Sequence, residues 1–110
     1  MKHVWLKDVP VQTHFAGFAG RFVSSERMTF VFWEVQEGAL LPQHSHMHEQ
    51  VVNMLEGQFE LTVDGKTNVL EAGTIFVIPP HAVHSGRALT ACRIIDSFAP
   101  VREDYLAFEK

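Results

Sequence analysis

The chain reads as an all-β protein, a barrel or sandwich of short antiparallel strands. Three observations carry that reading. Short runs rich in β-branched and aromatic residues are cut at close intervals by turn residues, with no linker, low-complexity tract or convincing internal repeat. Many short strands with closely spaced turns belong to barrels and sandwiches. Phe59, Leu61 and Val63 alternate with Glu60, Thr62 and Asp64, which is the period of a half-buried strand. His44 and His46 stand two apart, hence on one face of a strand. His84, far along the chain, can join them only if the sheet curls.

Taken in order, the N-terminal stretch carries Phe15, Phe18 and Phe22. These suit core packing and a dimer interface equally well, so a homodimer is one expectation. Residues 28–36 predict the first clear strand, since Thr29, Phe30, Val31, Phe32 and Trp33 favour a pleated surface and Glu37-Gly38 ends it. Residues 50–56 predict a second, leading to Gly57. After the alternating strand at 59–63, Asp64-Gly65 is a tight-hairpin dipeptide. Residues 67–70 run out of that turn to another at Glu71-Ala72-Gly73. Residues 74–78 form a short apolar strand stopped by Pro79-Pro80, because proline has no N–H for a ladder. Residues 89–98 predict the last long strand, with Cys92 inside it as a buried spectator. Only 102–108 has a helical character.

One domain accounts for residues 1–110. With 46% hydrophobic residues and nine Phe, the chain can fill a core. A formal charge of −4 supplies no basic field for nucleic acid. The longest apolar runs are far short of a membrane span. The N-terminus lacks the apolar region and small-residue cleavage site of a secretory signal. Cys92 is alone, which excludes an internal disulfide and fits a reducing compartment. The expectation is a cytoplasmic protein.

Two glycine-bracketed segments hold the chemistry. The first reads G-x5-H-x-H-x3-Q-x6-G from Gly38 to Gly57, and the second G-x5-P-x-H-x2-H from Gly73 to His84. A single histidine is more often a hydrogen-bonded core residue than a ligand. His44, His46 and His84 taken together point to a divalent metal ion inside the barrel. Imidazole suits several transition ions, and neutral ligands leave the ion its full charge for polarising a substrate oxygen. His48, in the turn between ligands, is expected to face solvent. His81, after the two prolines, is a candidate for contact with substrate or with a ligand. His3 and His14 have no supporting context.

The two segments resemble the paired motifs of the cupin superfamily, with Gly38 to His84 as the matching core. The resemblance implies a single-domain cupin, a double-stranded β-helix or jelly-roll barrel of two antiparallel sheets. It also implies His44, His46, Gln50 and His84 as metal ligands. Gln50 stands where the usual ligand is Glu, and the six residues before Gly57 choose it over Glu49. His81 stands where the motif has Gly, and Ala88 where it often has Asn. The ion is a transition metal (Ni, Zn, Mn, Fe or Cu), and the ligand set does not choose among them.

Beyond the motifs, Asp96 and Phe98 share a strand face and Pro100 ends the strand. A carboxylate among apolar neighbours needs a partner, and Arg102 is the candidate by reach. The competing reading is a surface Asp and an Arg at a helix start. The ending D-x-F-x-P-x-R-E-D-Y, from Asp96 to Tyr105, and the run H-S-H-x-H-E-Q, from His44 to Gln50, resemble the KdgF group of cupins. Those small enzymes of pectin and alginate breakdown linearise 4,5-unsaturated monouronates. The resemblance implies Asp96, Phe98 and Arg102 as catalytic residues and a small anionic sugar as substrate. Arg102 would grip the sugar carboxylate by paired hydrogen bonds, Asp96 would move a proton, and Phe98 would shape the pocket. Two other classes fit the same ligands: a mononuclear iron dioxygenase and a non-catalytic sugar-binding or sensor module.

Overall fold

A computed structural model describes residues 1–109 of the chain. Ten strands form two antiparallel sheets that face each other across an apolar core. They are β1 (Val11–Phe15), β2 (Phe18–Ser24), β3 (Thr29–Val35), β4 (Leu40–His44), β5 (Glu49–Glu56), β6 (Gln58–Val63), β7 (Lys66–Glu71), β8 (Ile75–Ile78), β9 (His84–Ala88) and β10 (Cys92–Ala99). The six-stranded sheet runs β1-β2-β3-β10-β5-β8 and the four-stranded sheet β4-β9-β6-β7. The all-β expectation holds, and the strands at 28–36, 50–56, 59–63, 67–70 and 74–78 are all present. The last strand starts at Cys92 rather than at residue 89, because the chain around Thr90 is still turning.

Side-chain period explains which face each strand buries. In β3, Thr29, Val31, Trp33 and Val35 are buried and the residues between them less so. In β10 the same period puts Ile94, Asp96 and Phe98 on one face, so a carboxylate rides inward on an apolar strand. Asp64 and Gly65 have φ of 47° and 80°, the two positive values that a tight two-residue hairpin requires. Phe18 and Phe22 are 4% and 1% exposed within a single copy of the chain. Core packing therefore accounts for them, and they give no argument for a dimer interface. Full burial of a side chain of that size is worth about 1.5–3 kcal/mol.

The chain ends as a 3-10 helix, Glu103–Glu109, laid against β2. Glu109 accepts the Ser24 backbone N–H at 2.8 Å, and the Arg102 N–H reaches Thr29 Oγ1 at 2.9 Å. These bonds anchor the tail beside the barrel and carry Arg102 and Tyr105 inward, 8% and 5% exposed. Cys92 is buried as expected, and burial pushes its thiol up. Among the described residues no helix is long and apolar enough to cross a membrane.

Candidate metal centre and substrate cavity

His44 closes β4, His84 opens β9, and the two are register partners across the ladder. His46 lies just past the end of β4, so the turn, not strand period alone, swings its ring toward the other two. The candidate ligand atoms of His44, His46 and His84 all lie within 4.8 Å of one another. Gln50, 5% exposed on β5, completes the group. Its side-chain Oε1 is 3.1 Å from His46 Nε2.

Hydrogen bonds decide which nitrogen of each ring is free. Nδ1 of His44 lies 2.7 Å from the Pro42 carbonyl, Nδ1 of His46 3.0 Å from the His48 carbonyl, and Nδ1 of His84 2.9 Å from the Ala82 carbonyl. A carbonyl only accepts, so each Nδ1 carries the hydrogen and donates it. Burial, reinforced by the Arg102 charge, pushes His46 down to about 4, and burial also lowers His84. At neutral pH both rings are therefore neutral, with a lone pair on Nε2. For His46 that lone pair faces the Gln50 carbonyl oxygen, an acceptor against an acceptor. For His84, Nε2 is buried with no hydrogen-bond partner. A cation between them satisfies both. Three imidazoles held from behind by backbone carbonyls are the usual support of a metal-binding histidine. The residues fit a divalent transition ion held by His44, His46, His84 and the Gln50 amide oxygen.

Beside this group lies a largely apolar pocket. Phe15, Phe18, Trp33, Leu41, Phe59, Ile94 and Phe98 form much of its wall, and His44, Gln50, Asp96, Arg102 and Tyr105 bring the polar atoms. Register explains part of this convergence: Phe98 pairs with Gln50, and Asp96 with Val52, across the β10–β5 ladder. Trp33 donates its indole N–H to Asp96 Oδ2 at 3.0 Å. Asp96 Oδ1 is buried with no partner in hydrogen-bonding geometry, although the Gln50 amide is near enough to draw its pKa down. Desolvation outweighs both of these neighbours and the Arg102 charge, and lifts the Asp96 carboxyl to about 6.

Arg102 lines the cavity, but its partner is not Asp96. The guanidinium donates from Nε to Asp104 Oδ1 at 3.1 Å and from Nη2 to Oδ2 at 2.7 Å. Its plane lies over Tyr105 at 3.9 Å and near Phe98 at 4.9 Å. Nη1 is buried and unpaired. Asp104 thus closes the Nε–Nη2 edge to a ligand, and the paired grip expected from the sequence is left to the end-on edge, Nη1 with the second N–H of Nη2. Burial pushes the Tyr105 phenol up to about 12, so it stays protonated.

Of the remaining histidines, His48 is half-buried rather than solvent-facing, and the Arg102 and Asp104 charges bear on it. His81 is exposed with φ of 67°, and its backbone N–H donates to the His46 carbonyl at 2.8 Å. It supports the ligand loop through its backbone, in the left-handed conformation a glycine would take at that motif position. His14 packs among Phe15, Phe22, Trp33, Tyr105 and Phe108. The sequence reading assigned no role to Trp33, Asp104 or Tyr105. The two-residue spacing of Arg102 and Asp104 in the C-terminal run was the one local signal available.

Comparison with known proteins agrees with this geometry. The sequence pattern of the family described as Cupin domain matches residues 31–98. A curated relative, the pectin degradation protein KdgF of Dickeya dadantii (strain 3937), is 27% identical over 84 residues, covering 74% of this chain and 76% of the relative. Among solved structures, an RmlC-like cupin from Shewanella frigidimarina NCIMB 400 is 31% identical with a TM-score of 0.88, covering 96% of each chain. KdgF from Halomonas sp. is 29% identical with a TM-score of 0.83, covering 89% of this chain and 92% of that one.

Proposed function

Because this chain belongs to the cupin domain family, we propose that it is a metal-dependent enzyme that linearises a 4,5-unsaturated monouronate from pectin or alginate breakdown. The observation that carries the reading is one cavity lined by both a buried carboxyl with a free oxygen, on Asp96, and a buried guanidinium with a free nitrogen, on Arg102, beside the histidine group. A ligand that satisfies those atoms needs an anionic group and a hydroxyl on a compact frame. An unsaturated uronate has both. Its relatives include a protein named for pectin degradation.

When bound by His44, His46, Gln50 and His84, a divalent ion polarises a substrate oxygen and stabilises negative charge on it. Arg102 reads the sugar carboxylate through Nη1, a charge-assisted contact. Asp96, through Oδ1, takes the proton of the anomeric hydroxyl as the ring C–O bond breaks to give an aldehyde. The enolate left beside the carboxylate then takes one proton on carbon, matching the one given to Asp96, and becomes a 2-oxo acid. The step is an isomerisation with balanced atoms and no oxidant. A carboxyl near pH 6 suits it, since the group can both accept and return a proton around neutrality. Trp33 fixes the orientation of that carboxyl, and Phe98 with the aromatic wall keeps bulk water from the reacting carbon.

The test is to add the metal-loaded protein to a 4,5-unsaturated monouronate and follow the conjugated-alkene ultraviolet absorbance alongside dissolved oxygen. Loss of absorbance without oxygen uptake is the expected result. Oxygen uptake by the iron-loaded form would replace the reading with a dioxygenase, and tight binding without turnover would replace it with a sugar-binding module.

A further inference from the structure

Arg102 and Asp104 differ sharply in exposure: the Arg102 side chain is 10% exposed and that of Asp104 58%. An ion pair between two exposed side chains contributes little to stability, but here one partner is a buried cation whose direction matters. Asp104 takes the edge made by Nε and Nη2, with both bonds in the parallel fork arrangement. Tyr105 covers a face. The corner that remains is Nη1, buried and without a partner in a residue that lines the cavity.

We infer that Asp104 is a positioning residue: by holding the Nε–Nη2 edge of Arg102 from the solvent side, it fixes the remaining end of the guanidinium, led by the unpaired Nη1, to read a ligand's anionic group. This rests on the reading of Arg102 given under Proposed function. Asp104 does not touch the ligand. It fixes the guanidinium against the swings that the long side chain otherwise allows, and Tyr105 and Phe98 restrict the plane. The consequence is that ligand charge is read at one fixed end of the guanidinium rather than by a side chain free to swing. A rival reading makes Asp104 a plug that the substrate carboxylate must displace, and the two predict opposite signs.

The experiment uses galacturonate and galactose as probes of the metal-loaded full chain, with affinity read by calorimetry, so that turnover is not needed. Wild type should prefer galacturonate. Asp104→Ala should weaken galacturonate by about tenfold and leave galactose unchanged, with metal content unaltered and the protein still folded at the assay temperature. Asp104→Glu, which keeps a carboxylate, should recover most of the loss. Tighter galacturonate binding by Asp104→Ala would overturn the inference and establish a plug. No galacturonate preference in wild type, or unchanged affinity in Asp104→Ala, would overturn it as well. A positive result here together with no turnover of the unsaturated uronate would leave the positioning role standing and reject only the proposed reaction.

Discussion

At the scale of single residues, the site separates holding a metal from moving a proton. His46 and His84 have their Nδ1 atoms tied to carbonyls and their Nε2 atoms turned inward, so either ring has one task. His46→Ala should abolish metal retention, measured by elemental analysis after dialysis. Asp96 stands apart on β10, bonded to Trp33. Asp96→Asn should keep the metal and lower turnover by about 10²–10⁴, the usual cost of losing a general acid or base. An Asp96→Asn protein with full activity would make Asp96 structural and leave the reaction without its proton carrier. The metal group was legible in the sequence because its spacings are local and numerous. The Asp96–Trp33 bond was not, since it joins residues on different strands, and neither was Asp104, whose role depends on where the tail docks.

At the scale of elements, Gly57 marks a place where the backbone itself makes the contact. Gly57, between β5 and β6, has φ of 86°, and a Cβ there would collide with the Ala91 carbonyl ahead of β10. Gly57→Ala should destabilise the fold by about 2–4 kcal/mol, combining left-handed strain with the collision. Denaturant midpoints of the two proteins test this, and an unchanged midpoint would mean the turn relaxes freely. The β6–β7 hairpin was readable for a simple reason: alternation and the turn dipeptide agree. The β1–β2 hairpin escaped notice because its inward face reads Phe18, Gly20, Phe22, Ser24, half of it without hydrophobic signal. Gly20 is small because the Trp33 ring lies against it, 2.6 Å from where a Cβ would sit. That requirement comes from β3 and has no trace in the local sequence. The tail was expected to be helical and is, though as a 3-10 helix whose value is to carry Arg102 and Tyr105 to the cavity.

At the scale of the molecule, the barrel buries bases and an acid in one interior, and their effects on stability have opposite signs. In the metal-free protein, burial lowers His46 from 6.5 to about 4 and also lowers His84. Between those values the unfolded chain binds more protons than the folded one, so acidification through pH 6.5 toward 4 removes stability. Burial raises Asp96 from 3.8 to about 6. In that interval the folded chain binds more protons, so stability rises as pH falls, and above about 6 the fold carries the whole cost of a buried carboxylate. Asp96→Asn removes that cost, because an amide of the same shape cannot ionise and keeps the acceptor for Trp33. The chelated variant should therefore melt above chelated wild type at pH 7. The gap should narrow as pH falls below about 6 and close as pH passes below 3.8, where the wild-type carboxyl is protonated in both states. The variant should also show the steeper loss on acidification, since the histidines then act without an opposing group. Melting curves of both proteins across pH 4–8 in the presence of a chelator measure this. Equal melting temperatures at pH 7 would mean that water reaches the Asp96 carboxyl freely, and a carboxyl so hydrated would sit too low to return a proton near neutrality.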